Sequence, residues 1–412
     1  MEAIEKANAE ALRRIFAAET VLVDVKPAGE VIPGLKKGMI LHAGPPITWD
    51  RMCGPMRGAV CGIAVFEGLA PDLAVAETAA AAGKFAFHPN HHFGAVGPMT
   101  GMVTPTQPVL IVENKAFGNR AFCTINEGLG KVLRFGGNDK EVLDRLRWTA
   151  TVLGPALSAA LQRAGGIPLK NIIARGLSMG DEMHQRNIAC SALFMREIAP
   201  ALGQWLDEKL TGVLKFVGQN DQFFLNIAMA MAKSIMDPVR DIPNSTIVTA
   251  MCRNGTDFGI QVSATGSEWF TAPVEMPVGM YFPGYSEKDA NPDMGDSAIV
   301  ETIGLGGCAM ATSPAVAGFV GAGKASEAAQ YTMAMYEITA GRSPDWTMPN
   351  LDYAGLPTGI DIRKVLQTGI TPYINTGIAH RLPGVGQVGA GIARAPLACF
   401  EKALERVAEV LT

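Results

Sequence analysis

The stretch NDKEVLDRLRWTATVLGPALSAALQRAGG, residues 138–166, decides how the chain divides. Asn138 and Glu141 have the spacing of a capping box, in which two side chains satisfy the free N–H groups of a helix start. Leu143, Leu146, Leu153, Leu157 and Leu161 then recur at helical spacing until Gly165-Gly166 ends the run. The chain before it has a different period. Residues 21–25, 39–43, 109–113 and 121–126 are short apolar or β-branched runs bounded by Gly, Pro or Asn, the pattern of strands, and 59–69 and 74–82 read as helices between them. After it, helices continue: 181–197 sets Ile188, Ala192 and Met195 on one stripe, and 223–236 is apolar almost all round, as a core helix is. Strand signals return at 246–251, 258–264 and 280–282, and 396–411 reads as an amphipathic helix. The expected fold is α+β (mixed α/β) and multi-domain: an N-terminal α/β unit over 1–137 with a His-rich loop, a helical module over 138–237, and a C-terminal α+β unit over 238–412.

Composition narrows the function classes. Of 412 residues 48% are hydrophobic and only 18% charged, so burial is extensive and part of it is expected between subunits of a homo-oligomer. A net charge of -4 and the lack of a basic stripe argue against nucleic-acid binding. The seven cysteines stand singly with no CxxC pair, which fits a reduced, cytoplasmic setting. The uncharged run 303–323 has the length of a membrane span, but its Gly, Ala, Ser and Pro content gives it little drive into lipid, so it reads as tightly packed buried backbone. No membrane association is expected. The glycine run 384–391 lacks the strand and downstream acid of a dinucleotide loop, and no cofactor and no metal are expected.

All six histidines fall in Gly-, Pro- or Asn-rich segments, where binding and catalytic groups concentrate. His88, His91 and His92 lie within five residues and can polarise a carbonyl or carry a proton near neutral pH. In Gly180-Asp181-Glu182-Met183-His184-Gln185-Arg186-Asn187, Asp181 and His184 are spaced to share one face of a helix, as an acid/base pair with Arg186 and Asn187 beside it. Arg51, Arg57, Asn119 with Arg120, Asn126 with Glu127, and Arg253 with Asn254 flank glycine turns that can bind anions through guanidinium and backbone N–H groups. Asp296, Asn375 and His380 sit in further turn-rich segments able to complete such a site.

The strings ILHAGPPITW (40–49), GPMRGAV (54–60), HHFGAVGPMTG (91–101), NEGLGKVLR (126–134), SMGDEMHQRN (178–187), TAMCRNGTDFGI (249–260), NPDMGDSAI (291–299) and NTGIAHRLPGVGQVGAG (375–391) together resemble the YlbE/AllG/YahG-type family, over nearly the whole chain. That resemblance implies a subunit of an oxamate carbamoyltransferase-like enzyme, converting oxalurate and phosphate to oxamate and carbamoyl phosphate or acting on a related carbamoylated acid. It also implies an FdrA-type partner subunit that resembles CoA ligases. On this reading Arg57, Arg120 and Arg253 bind phosphate and carboxylate, His91 or His92 acts on the carbamoyl carbonyl, and Asp181 and His184 assist. Two other readings compete: a non-catalytic anion-binding companion of the ligase-like subunit, and a metal-dependent amidohydrolase.

Overall fold

The β-branched run near the N-terminus forms the strand Thr20–Pro27, an inner strand of a five-stranded sheet of the computed structural model, which describes residues 2–203, 208–319 and 324–411. The strand Pro108–Asn114 pairs antiparallel with it, and Asn119–Thr124 pairs antiparallel with that one in turn. The short strand Ile167–Pro168 closes the other edge. It follows the helical stretch that opened the sequence reading, so this sheet takes strands from both sides of residue 138.

That stretch begins one residue later than its capping-box spacing suggests. Asp139 is the N-cap, accepting from the Val142 N–H, while the Asn138 amide instead donates to the Gly58 carbonyl. The helix Lys140–Trp148 passes through a π-turn, Thr149–Leu153, into the helix Gly154–Ala164. Pro155 stands at the start of this last helix and has no N–H to give to the preceding turn, which is the usual reason for such an irregularity. Gly165, at φ +70°, ends it as expected.

Phe223–Met236 is buried along all 14 residues. It lies against the strands Pro108–Asn114 and Asn119–Thr124, and the carbonyl of Ser234 accepts from the amides of both Asn114 and Asn119. A residue with no exposed face here must be apolar or internally paired, and the one cation in the helix, Lys233, meets Asp237 at 2.7 Å. The hydrophobic core around it draws on residues from Ala7 to Leu356, crossing both expected unit boundaries.

The C-terminal half holds a four-stranded sheet, with Asp257–Val262 and Val248–Asn254 at its centre, and a three-stranded sheet, with Gln387–Arg394 between Val278–Tyr281 and Tyr373–Ala379. The glycine run lies largely in this last central strand. Gly389 and Gly391 let the neighbouring backbone approach so closely that an added Cβ would fall 2.3 Å from the Met280 carbonyl and 2.6 Å from that of Val278. Of the uncharged run, Gly306–Thr312 is fully buried, and a Cβ on Gly307 would lie 2.0 Å from the Tyr373 carbonyl; residues 320–323 lie outside the described residues. No helix among the described residues is long and apolar enough to cross a membrane.

The segment 293–297 stitches the two halves together. Met294–Gly295 pairs with the end of Val248–Asn254 on one side, and Gly295 bridges to Pro98 on the other. Its φ of +125° and the 2.8 Å that would separate an added Cβ from the Met99 nitrogen reserve the position for glycine.

Candidate functional site

The polar segment 181–187 is not the start of a helix. It is a turn between the helices Lys170–Ser178 and Ile188–Leu202, and Asp181 and His184 therefore do not share a helical face. The reason is Glu182: its carboxylate accepts from the backbone N–H groups of His184, Gln185 and Arg186, and from the Asn375 amide at 3.0 Å. Four donors on one fully buried carboxylate bend the chain tightly, and Met183, itself buried, takes up the bend at φ +61°. A left-handed non-glycine residue costs of the order of 1 kcal/mol or more and persists only where its surroundings enforce it. Burial pushes the Glu182 carboxyl upward, with the neighbouring His184 opposing.

The turn presents His184 to a small cavity between the two halves of the fold. Its volume, about 20 Å³, holds about one water molecule. Nδ1 of His184 meets Oε1 of Glu301 at 2.7 Å, on the short helix Ile299–Thr302. An ionised carboxylate accepts there, so the proton sits on Nδ1 and Nε2 is left as the ring's acceptor. Arg134 lines the same cavity, its plane stacked over Phe135 at 4.7 Å and fixed by bonds from Nε and Nη2 to the Gly128 carbonyl and from Nη2 to Oε1 of Gln222. Burial draws the guanidinium down to about 10, with Glu127 opposing, so it remains cationic at neutral pH. Ser297, Thr376, Gln185, Gln222 and Gln387 complete the polar lining, and Met99, at φ +56°, is a strained residue of the wall. Gln185 and Gln222 also line a surface groove of about 350 Å³ with Leu129, Ile188 and Val316, so these two glutamines divide cavity from groove.

A buried base oriented by a carboxylate, facing a fixed guanidinium, is equipped to move a proton beside an anion. Comparisons with known proteins give the family. Residues 85–297 match the model of the family described as oxamate carbamoyltransferase subunit AllG. The Escherichia coli K12 protein of that name is 51% identical over 98% of both chains. The chain belongs to the AllG family. The uncharacterised protein YahG of the same organism is 46% identical, over 97% of this chain and 85% of that one. A crystal structure of a conserved protein of unknown function from Enterococcus faecalis V583 superposes with a TM-score of 0.97, at 47% identity, covering 99% of this chain and 98% of that one.

In this AllG-family chain the residues singled out from sequence part into four groups. His184 lines the cavity, and Asn375, Asn187, Asn126 and Glu127 support its walls: the Asn187 amide donates to the His184 carbonyl, that of Asn126 to the Gln222 carbonyl, and Glu127 accepts from the Arg134 and Leu133 N–H groups. Arg253 stands behind the wall, fully buried, at 2.6 Å from Asp293 and 3.3 Å from the Thr376 hydroxyl. Asp181, at 3.3 Å from Arg186, braces the turn from the outside.

His91 and Asp296 form a second buried centre. Asp296 accepts from the Gly44 and Gly97 N–H groups and the Asn90 amide, each at 2.9 Å, and burial lifts its carboxyl to about 6. His91 lies 3.6 Å from it. His92 is exposed and accepts from Trp269 Nε1, and His88 packs on Phe93. None of these three histidines lines the His184 cavity.

The remaining residues are placed structurally. Arg51 pairs with Asp257, Arg57 lies over Trp49 and donates to the Asp50 carbonyl, Arg120 pairs with Glu113, and Asn119 holds Ser234. Asn254 closes its own turn by accepting from Thr256 and Asp257, and Nδ1 of His380 accepts from Leu382. Sequence reasoning passed over Glu301, Glu182, Arg134 and Gln222. Arg134 carried a signal, since it ends the string NEGLGKVLR, whereas Glu301 lies in an apolar run with no local cue.

Proposed function

We propose that this chain is a carbamoyltransferase subunit whose transfer site is the His184 cavity, acting on oxalurate and phosphate or on a related carbamoylated acid. The observation that carries the reading is the His184–Glu301 dyad facing Arg134 in a buried polar cavity. The relative's printed activity supports the substrate class.

In the phosphorolytic direction a phosphate oxygen attacks the ureido carbonyl carbon, and a C–O bond forms as the carbonyl becomes an oxyanion. Collapse breaks the C–N bond to oxamate. Nε2 of His184 takes the phosphate proton and returns it to the departing nitrogen, so protons and charge balance over the two steps. Arg134 and the side-chain amide of Gln222 offer donors to the oxyanion and the phosphate, and fixed donors in a dry site stabilise developing charge strongly. A cavity for about one water must widen to admit the acid, and Gln185 with Gln222, between cavity and groove, are the side chains that would move.

The test is carbamoyl transfer from oxalurate to phosphate, with the purified chain alone and with its partner subunits, in wild-type and His184→Ala forms. Activity of the complex that falls at least about 100-fold on the substitution supports the reading. Undiminished activity in His184→Ala would reject it and leave the chain as an anion-binding companion of another catalytic subunit.

A further inference from the structure

The second buried centre contains more than His91 and Asp296. Cys252, on the strand Val248–Asn254, joins them: one ligand-type atom of each residue lies within 4.8 Å of the others, and all three residues are buried. Both ring nitrogens of His91 lack a hydrogen-bond partner, in a side chain that is only 1% exposed. An imidazole left so is costly, because burial removes its water without a replacement. The nearest carboxylate oxygen, at 3.6 Å from Nε2, is too far for a hydrogen bond. It is close to the roughly 3.4 Å that separates a nitrogen and an oxygen on one tetrahedral zinc ion. The Cys252 thiol has only a weak contact, 3.8 Å from the Gly259 carbonyl.

From this juxtaposition we propose that His91, Cys252 and Asp296 hold a divalent cation of borderline softness, of the zinc class, at a site distinct from the His184 cavity. Imidazole, thiolate and carboxylate together select zinc over magnesium or calcium, which favour oxygen ligands alone. Of the cations nearby, Lys233 and Arg240 both turn to the Asp237 carboxylate, at 2.7 Å and 3.3 Å, and Arg253 turns to Asp293, at 2.6 Å, so none of these three is bonded to Asp296. Binding deprotonates Cys252, the proton leaves to solvent, and thiolate plus carboxylate neutralise the two positive charges. The three ligands come from the His-rich loop, the central C-terminal strand and the seam at 293–297, so the ion's work is to clamp the two halves of the fold. This inference stands whether or not His184 carries carbamoyl transfer.

The experiment is metal analysis of the full chain, expressed with zinc and purified without chelator, alongside His91→Ala and Cys252→Ser. The expected result is about one zinc per wild-type chain and less than about a tenth of that in either variant. Should His91→Ala fail to fold, the near-isosteric Cys252→Ser still decides. Cobalt exchanged into wild type should show thiolate-to-cobalt charge transfer that the Cys252→Ser protein lacks. Wild type without stoichiometric metal, or variants that keep theirs, would overturn the proposal.

Discussion

Nδ1 of His184 and Oε1 of Glu301 stand 2.7 Å apart although 117 residues separate them in the chain. A carboxylate in that position sets the tautomer of the ring, and an amide of the same size does not. Replacing Glu301 by Gln is expected to lower kcat for carbamoyl transfer by about 10²–10⁴-fold with little change in KM for the acid. Steady-state kinetics of the assembled enzyme measure it. Unchanged kcat would show that Glu301 only supports the fold.

Arg134 and Arg57 make a matched pair of arginine tests, because one lines the cavity and the other stacks on Trp49. Lysine keeps the charge but loses the planar donor fork. Arg134→Lys is expected to cost about 1–3 kcal/mol in substrate binding or transition-state stabilisation. Arg57→Lys should leave both kinetic constants near wild type. A large loss at Arg57 with none at Arg134 would move the anion site to the surface around Trp49.

How much of this was legible beforehand depended on the range of the interactions. Strand and helix periods are local, so Thr20–Pro27, Phe223–Met236 and the stop at Gly165 could be read from neighbouring residues. The turn at 181–187 could not, since helical spacing at Asp181 and His184 was overruled by Glu182 collecting donors from the turn itself and from Asn375, 193 residues away. His184 was recognisable by its chemistry and setting. Its partner Glu301 was not, and neither was the parting of His91 from His184, which only the tertiary fold imposes.

His42 supplies a pH test unrelated to the cavity. The ring is fully buried, with Nδ1 at 2.8 Å from the Ala43 carbonyl, and burial lowers its pKa to about 4, with the charges of His88 and His92 adding to the effect. An unfolded histidine binds its proton near 6.5, so the unfolded state holds more protons between those two values, and stability falls as pH drops through that window. The full loss by pH 4 is about 3 kcal/mol. Denaturant unfolding of wild type and His42→Gln at pH 7.5 and pH 4.5 should show a smaller acid loss in the variant. Equal losses would mean that other groups govern acid sensitivity.

Arg253 tests the seam between the halves. Its guanidinium is wholly buried, donating to Asp293, to the Gly295 carbonyl and to the Thr376 hydroxyl, while Asp293 also accepts from Thr376 at 2.7 Å and from the Met294 N–H. Removing one member of a buried pair leaves its partner charged without compensation, which costs about 3–5 kcal/mol, far more than the pair adds over apolar groups of similar shape. Arg253→Met is therefore expected to lower stability by that amount. Adding Asp293→Asn to it removes the orphaned charge, so the double variant should be destabilised by clearly less than the sum of the two single ones. The check is a double-mutant cycle by denaturant unfolding, with the slope against denaturant unchanged. Additive losses would mean that Arg253 and Asp293 act through separate contacts, Arg253 through Gly295 and Asp293 through Thr376, and not as a pair.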